Sequence, residues 1–142
     1  SPGFADRIEP VEEFLRHGVS LEERLVEVAV LVVAKHWRAQ YVWTSHGPAA
    51  EKAGVAPAIV EAIRMGDTPV FKLDDEAVCY RFCTDMIAGR EADDTLWAEA
   101  QAVFGETGVT ELLGLLGLYT SVCLTMVGYR MPTKNGEPEP LP

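Results

Sequence analysis

Apolar residues recur along this chain at steps of three and four, and no segment reads convincingly as a strand, so the pattern predicts helix almost throughout. From Ala5 to His17, the residues Ile8, Val11, Phe14 and Leu15 fall at helical spacing before Gly18, which suits the position just past a helix end. Ser20 followed by Glu23 reads as a capping box, in which hydroxyl and carboxylate each satisfy a free backbone N–H, and it opens a helix to about His36. Between Glu27 and Lys35 the run VAVLVVA is apolar on every face, so this helix is expected in the core, with Glu27 at its edge buried or half buried. A helix from about Ala39 to Ala53 follows and stops at Gly54. Pro48 inside it removes one donor and is expected to bend it near Thr44.

Pro57 sits at the start of a short helix, Ala58 to Met65, closed by Gly66. Asp74 or Asp75 caps a helix to about Ala88, and Asp93 caps another through Phe104 and Gly105. A long apolar helix then runs from Val109 or Thr110 to about Tyr129. Beyond Met131 the segment PTKNGEPEPLP carries four prolines and almost no apolar residues, which predicts an extended or disordered tail. The expected architecture is all-α, with one domain over residues 1–131 and the tail at 132–142.

The stretch Leu112 to Gly128, LLGLLGLYTSVCLTMVG, has no charge over 17 residues. That is marginal against the roughly 20 residues a membrane span needs. Gly114, Gly117, Ser121 and Thr125 recur at steps of three or four, which lets another helix approach closely. With no second span and no flanking cluster of positive charge, a core helix or an oligomer interface is expected, and no membrane.

Lys and Arg number 12 against 22 Asp and Glu, a net charge of −10, so the overall field repels phosphate backbones and anionic membranes, and nucleic acid is not an expected partner. A few local cations can still hold a small anion, and Lys35, Arg38 and Arg64 lie near the segment that draws attention below. At 142 residues the chain has room for one core but little for a cavity that excludes water, which favours a site completed by a second subunit. Three cysteines, without the spacing of a disulfide framework and without a signal peptide in this sequence, predict a reducing, cytoplasmic setting. The opening Ser1-Pro2-Gly3, in place of methionine, fits a processed or trimmed product. Cys79 and Cys83 stand one helical turn apart, which is not the redox Cys-x-x-Cys spacing, and core packing is expected of them. His36, His46 and Glu27 match no local ligand motif, and no phosphate loop or dinucleotide fingerprint is present, so neither metal nor cofactor is expected.

Chemistry is best sought between Glu27 and Gly54, where Tyr41, Trp43 and the lone His46 follow the apolar helix. Imidazole titrates near neutrality and can move a proton unaided. Taken alone, such a histidine reads as a packed core residue, and Trp43 as an aromatic buried for its area. The segment RAQYVWTSHGPAAEKAGV nevertheless resembles the carboxymuconolactone decarboxylase family, whose signature of aromatic-x-Trp-x-x-His, small residues, then Ala-Gly is matched by Tyr41, Trp43, His46, Ala53 and Gly54. In the alkylhydroperoxidase branch of that fold a Cys-x-x-Cys pair precedes the histidine and a glutamate lies one helix upstream. Those positions fall on Ala39, Val42 and Glu27, so the acid and the histidine are present and the thiols are not.

The resemblance runs from about Leu15 to Gly128. It implies an alkylhydroperoxidase-like bundle of about six or seven helices, a homo-oligomer, and a cofactor-independent lyase that decarboxylates a carboxylated lactone in aromatic catabolism. On this reading His46 is the proton donor and acceptor, and Glu27 orients it if their helices pack side by side. Trp43 and Tyr41 would contact the substrate, an organic acid or lactone, and Arg38 would anchor its carboxylate. Two other readings stay open: a thiol peroxidase, disfavoured because Ala39 and Val42 occupy the thiol positions, and an oligomeric small-molecule-binding protein without turnover.

Overall fold

The structure, a computed structural model, describes residues 1–142. Six α-helices succeed one another, α1 (Pro2–His17), α2 (Glu23–Trp37), α3 (Gln40–Ala53), α4 (Pro57–Met65), α5 (Asp74–Ile87) and α6 (Asp94–Gly128), followed by a 3-10 turn at Lys134–Gly136, and there is no strand. The all-α bundle matches the expectation. Its centre is α2, in which every residue from Leu25 to Ala34 is buried. A helix apolar on all sides can be shielded only by neighbours on all sides, and α3, α5 and α6 pack around it, with α1 and α4 completing the shell.

Arg38 turns the chain from α2 into α3. It adopts the left-handed conformation at φ 52°, and the N–H of Ala39 reaches back to the Ala34 carbonyl at 2.9 Å, which closes the helix as a Schellman turn. A side chain in this region costs roughly 1 kcal/mol relative to glycine. The turn sends α3 back along α2, and this return sets the geometry of the site described below.

Asp93 caps α6 by accepting from the Leu96 N–H at 2.8 Å, as its position predicts. Gly105, at φ 67° and ψ 174°, breaks α6 into the two helical segments that the sequence suggests, in a region of backbone space open essentially to glycine alone. Three residues on, a Cβ at Gly108 would lie 2.8 Å from Phe104 Cβ and 3.2 Å from the Leu21 side chain, so glycine makes room both for the preceding turn of α6 and for the α1–α2 loop.

Ser20 is where the helix-capping expectation is corrected. The cap of α2 falls at Glu22, with no side-chain bond. Ser20 instead donates both its N–H (2.9 Å) and its hydroxyl (2.6 Å) to the carboxylate of Glu111 on α6. Two donors converging on one charged acceptor outcompete a local cap. Pro48 lies within a continuous α3, and Thr44 turns its hydroxyl back to the Tyr41 carbonyl at 2.7 Å.

The proline-rich tail, expected to be extended or disordered, has no regular structure beyond the 3-10 turn and is docked on the bundle. Leu141 is only 3 % exposed. The Gln40 side chain pairs with the Leu141 backbone through two bonds of 2.8 and 3.0 Å, and Arg64 donates to the Pro140 carbonyl at 2.6 Å. One apolar residue with its backbone satisfied on both sides suffices to tether a segment that is otherwise polar. The uncharged part of α6, expected to be a core helix or an oligomer interface, is buried on one face only: Leu112, Leu115, Leu116, Tyr119 and Cys123 point into the core, while Leu113, Leu124 and Val127 are exposed. By length and composition alone, α6 would be able to cross a membrane.

The start of α2 is tied to the start of α5 by Arg24, which binds Asp75 through two bonds of 2.6 and 3.0 Å and lies 3.4 Å from the buried Glu76. The Arg24 hydrogen bond holds the Asp75 carboxyl below its ordinary value of 3.8. A carboxylate with a depressed value adds stability above the ordinary value and loses it as the pH falls through the lower one. Asp75→Asn should therefore cost about 1 kcal/mol at pH 7, a modest sum because the pair is partly solvated. Urea unfolding of both proteins at pH 7 and pH 3 checks this, and the difference should shrink at the lower pH.

Candidate functional site

Three elements that surround or form the core each contribute one polar side chain to a single row. Glu27 projects from α2, His46 from α3 and Tyr119 from α6, and all three are buried. The Glu27 carboxylate lies 2.8 Å from His46 Nδ1, and the Tyr119 hydroxyl lies 3.3 Å from His46 Nε2. A carboxylate can only accept, so Nδ1 carries the proton in the neutral ring and Nε2 is left to accept from the phenol. The two rings meet edge to face, 5.2 Å between centroids and 89° between planes. Burial pushes the Tyr119 phenol above its ordinary value, with the nearby Arg16 pulling the other way, so near neutral pH it is a donor and not a phenolate.

The row opens into a cleft of about 280 Å³ lined by His46, Tyr119, Tyr41, Val42, Ser45, Ala49, Val122 and Met126, with Glu12, Arg16 and Lys134 as its charged members. Arg16 lies 3.6 Å from Glu12. The Lys134 ammonium, from the 3-10 turn, sits over the face of Tyr41, 5.8 Å from the ring centre. The cleft therefore combines an imidazole and a phenol at its inner end with apolar walls and two cations.

The sequence-predicted residues divide into two groups. Glu27 and His46 meet although 19 positions separate them, and Tyr41 lines the cleft. Trp43 does not line it. Its indole is buried in the core and packs against Gly47, where a Cβ would stand 3.3 Å from the indole nitrogen. Arg38 borders a neighbouring cavity of about 380 Å³, beside Arg130 and Glu139, and is absent from the His46 cleft. Lys35 spends its ammonium on the Arg64 carbonyl at 2.7 Å, and Arg64 binds Glu61 and the tail, so neither supplies charge to the cleft. His36 lies edge-on against Trp37, and no three His, Cys, Asp or Glu side chains are grouped so as to hold a metal ion.

Tyr119, Arg16 and Lys134 escaped sequence reasoning. Tyr119 left one usable signal, since it is the sole phenol in the uncharged run from 112 to 128, and a buried phenol demands a hydrogen-bond partner. Arg16 and Lys134 belong to segments at either end of the chain and left none.

The cysteines lie elsewhere. Cys79 and Cys83 are fully buried on α5 with their sulfurs 4.0 Å apart, and Cys123 is buried on α6. The hydrogen bond with Cys83, and then burial, push the Cys79 thiol well up, while burial pushes Cys123 up to about 12. None lines the His46 cleft. No protein-family model matches the chain, and a search of curated proteins finds no match.

Thiolate, not thiol, is the reacting species, so all three cysteines should be inert in the folded protein. Labelling with a chromogenic disulfide reagent at pH 8 should titrate almost none of the three thiols in minutes, and all three once guanidinium unfolds the chain. Rapid labelling of the native protein would place a reactive thiol at the surface.

Proposed function

We propose that the His46 cleft is a cofactor-independent acid–base site of the carboxymuconolactone decarboxylase kind, which removes CO₂ from a small lactone bearing a carboxylate. The observation that carries this reading is the buried 2.8 Å contact between Glu27 and His46 Nδ1, which fixes the ring and leaves Nε2 at the cleft. In the reaction the bond to the departing carboxylate breaks, and its electron pair delocalises through the conjugated system onto the lactone carbonyl. His46, protonated at Nε2 from solvent water, gives that proton to the resulting dienolate carbon and is reprotonated from solvent for the next turnover, while Glu27 balances the imidazolium charge. The Tyr119 hydroxyl, which contacts Nε2 at 3.3 Å, would be released when that nitrogen is protonated and free to donate to the developing oxyanion.

The thiol-peroxidase alternative gains no support, since the cleft has no sulfur nucleophile and the buried thiols resist ionisation. A binding protein without turnover shares the same cleft and is separated from the lyase by kinetics. The free cysteines fit a reducing, cytoplasmic setting.

On a carboxylated lactone that the protein turns over, His46→Gln should lower kcat by roughly 10²- to 10⁴-fold with little change in thermal stability, because glutamine hydrogen-bonds but cannot cycle a proton. Glu27→Gln should cost less, and less still in the His46→Gln background, since the two act as one unit. Tyr119→Phe should lower kcat more than it raises KM. Equal kcat in the wild type and a folded His46→Gln protein would remove His46 from the mechanism and leave the binding reading.

The exposed face of α6 supports self-association. Leu113, Gly117, Thr120, Leu124 and Val127 follow the four-and-three spacing of a helix-pairing seam, and three of them are large apolar residues left in water. Light scattering at micromolar concentration should give at least twice 15.5 kDa, and Leu113→Glu with Leu124→Glu should return it to the monomer mass. A wild-type monomer would rule out a shared site.

A further inference from the structure

We propose that Arg16 and Lys134 form an anion clamp at the His46 cleft, and that the docked C-terminal tail determines ligand selection by carrying Lys134 into place. The proposal rests on the cleft being a ligand site and adds to that reading which residues select the ligand, and for what chemistry.

A protein of net charge −10 repels a small anion at long range, so capture requires local cations that reverse the sign at the mouth. Arg16 and Lys134 are the cationic side chains on the cleft lining. Arg16 has only a loose partner, Glu12 at 3.6 Å, with both side chains more than a third exposed, and a pair of that kind yields readily to a better anion. Lys134 has no carboxylate partner and rests over the Tyr41 ring, which tolerates a cation without neutralising it. Arg16 also reaches the inner end of the cleft electrostatically, where it opposes the upward shift of Tyr119.

The tail explains how Lys134 is held there. The chain leaves α6, makes the 3-10 turn at Lys134–Gly136, and is then pinned by buried Leu141, the paired bonds of Gln40 and the Arg64 bond to Pro140. Gln40 and Tyr41 are adjacent on α3, so one residue anchors the tail and the next receives the lysine. The prolines lower the entropy lost on docking. The walls, Val42, Ala49, Val122 and Met126, are apolar, so the ligand class is a small carboxylate with an apolar body, conjugated on the reading proposed above. In the proposed reaction the substrate then carries a second carboxylate, and this is the one clamped, because pairing with two cations would stabilise a departing carboxylate in its ground state.

Isothermal titration of the full chain at low salt with benzoate and with the neutral benzamide tests this without any turnover. Wild type should bind benzoate at least about tenfold more tightly than benzamide. Arg16→Gln and Lys134→Gln should each weaken benzoate several-fold and leave benzamide unchanged. Leu141→Ser, which frees the tail, should weaken benzoate as Lys134→Gln does and speed tryptic cleavage after Lys134. Absence of saturable benzoate binding, equal affinity for the two probes, or indifference to both cation variants would overturn the clamp. Wild-type benzoate affinity in a Leu141→Ser protein that trypsin cuts faster would overturn the role of the tail. His46→Gln should keep the benzoate preference, so a clamp that persists while kcat is unaffected by that variant separates failure of the proposed reaction from failure of this proposal.

Discussion

A helix with apolar side chains on every face has no side to offer water, and the arrangement of this protein follows from enclosing one. Burial of α2 from Leu25 to Ala34 fixes α3, α5 and α6 around it, since each must set its own apolar stripe against the central rod. Glu27 lies inside that buried span. Its carboxylate is taken into the core with its helix, and the neighbours that exclude water must also supply its partner.

Such a carboxylate is costly to desolvate, and an ion pair or hydrogen-bonded pair in the interior rarely does better than apolar side chains of equal volume. His46 resolves the conflict by presenting Nδ1 at 2.8 Å, and Tyr119 closes the row from α6. The contact makes a weak stabiliser but a rigid one, with the ring held at both nitrogens and its tautomer set by what the carboxylate can accept. The proposed proton transfer accounts for retaining such a group in the core better than stability does. The Arg24, Asp75 and Glu76 cluster differs in kind: it joins two helix starts near the surface and has no access to the cleft.

The cleft draws on parts of the chain that have little in common in sequence. Its inner end comes from central helices, whereas its charge comes from α1 and from the turn that follows α6. In an acidic protein two cations at one mouth stand out against the background field, and both are brought there by segments outside the motif: α1 packs on α6, and the tail is pinned through Leu141 to Gln40 and through Pro140 to Arg64. Arg38, the nearest cation to the motif along the chain, has a backbone task instead. Its left-handed turn reverses the chain so that α3 lies along α2.

Helical periodicity, the stop at Gly54, the cap at Asp93 and the break at Gly105 are local matters of backbone freedom and hydrogen bonding, so the sequence by itself determined the all-α bundle and most of its boundaries. It also led to the expectation that Glu27 would be buried or half buried, because the run that follows it in α2 is apolar on every face, and it marked His46 as the candidate for acid–base chemistry. Which partners these groups found was decided only in three dimensions. Ser20 gave up a local cap for the distant Glu111, Trp43 turned into the core beside Gly47 and away from the cleft, and a tail with almost no apolar content was tethered through Leu141. Tyr119, Arg16 and Lys134 reached the site through helix packing and tail docking. Side chains separated by dozens of residues meet according to how apolar surfaces are covered, and that is a property of the assembled bundle which no local spacing encodes.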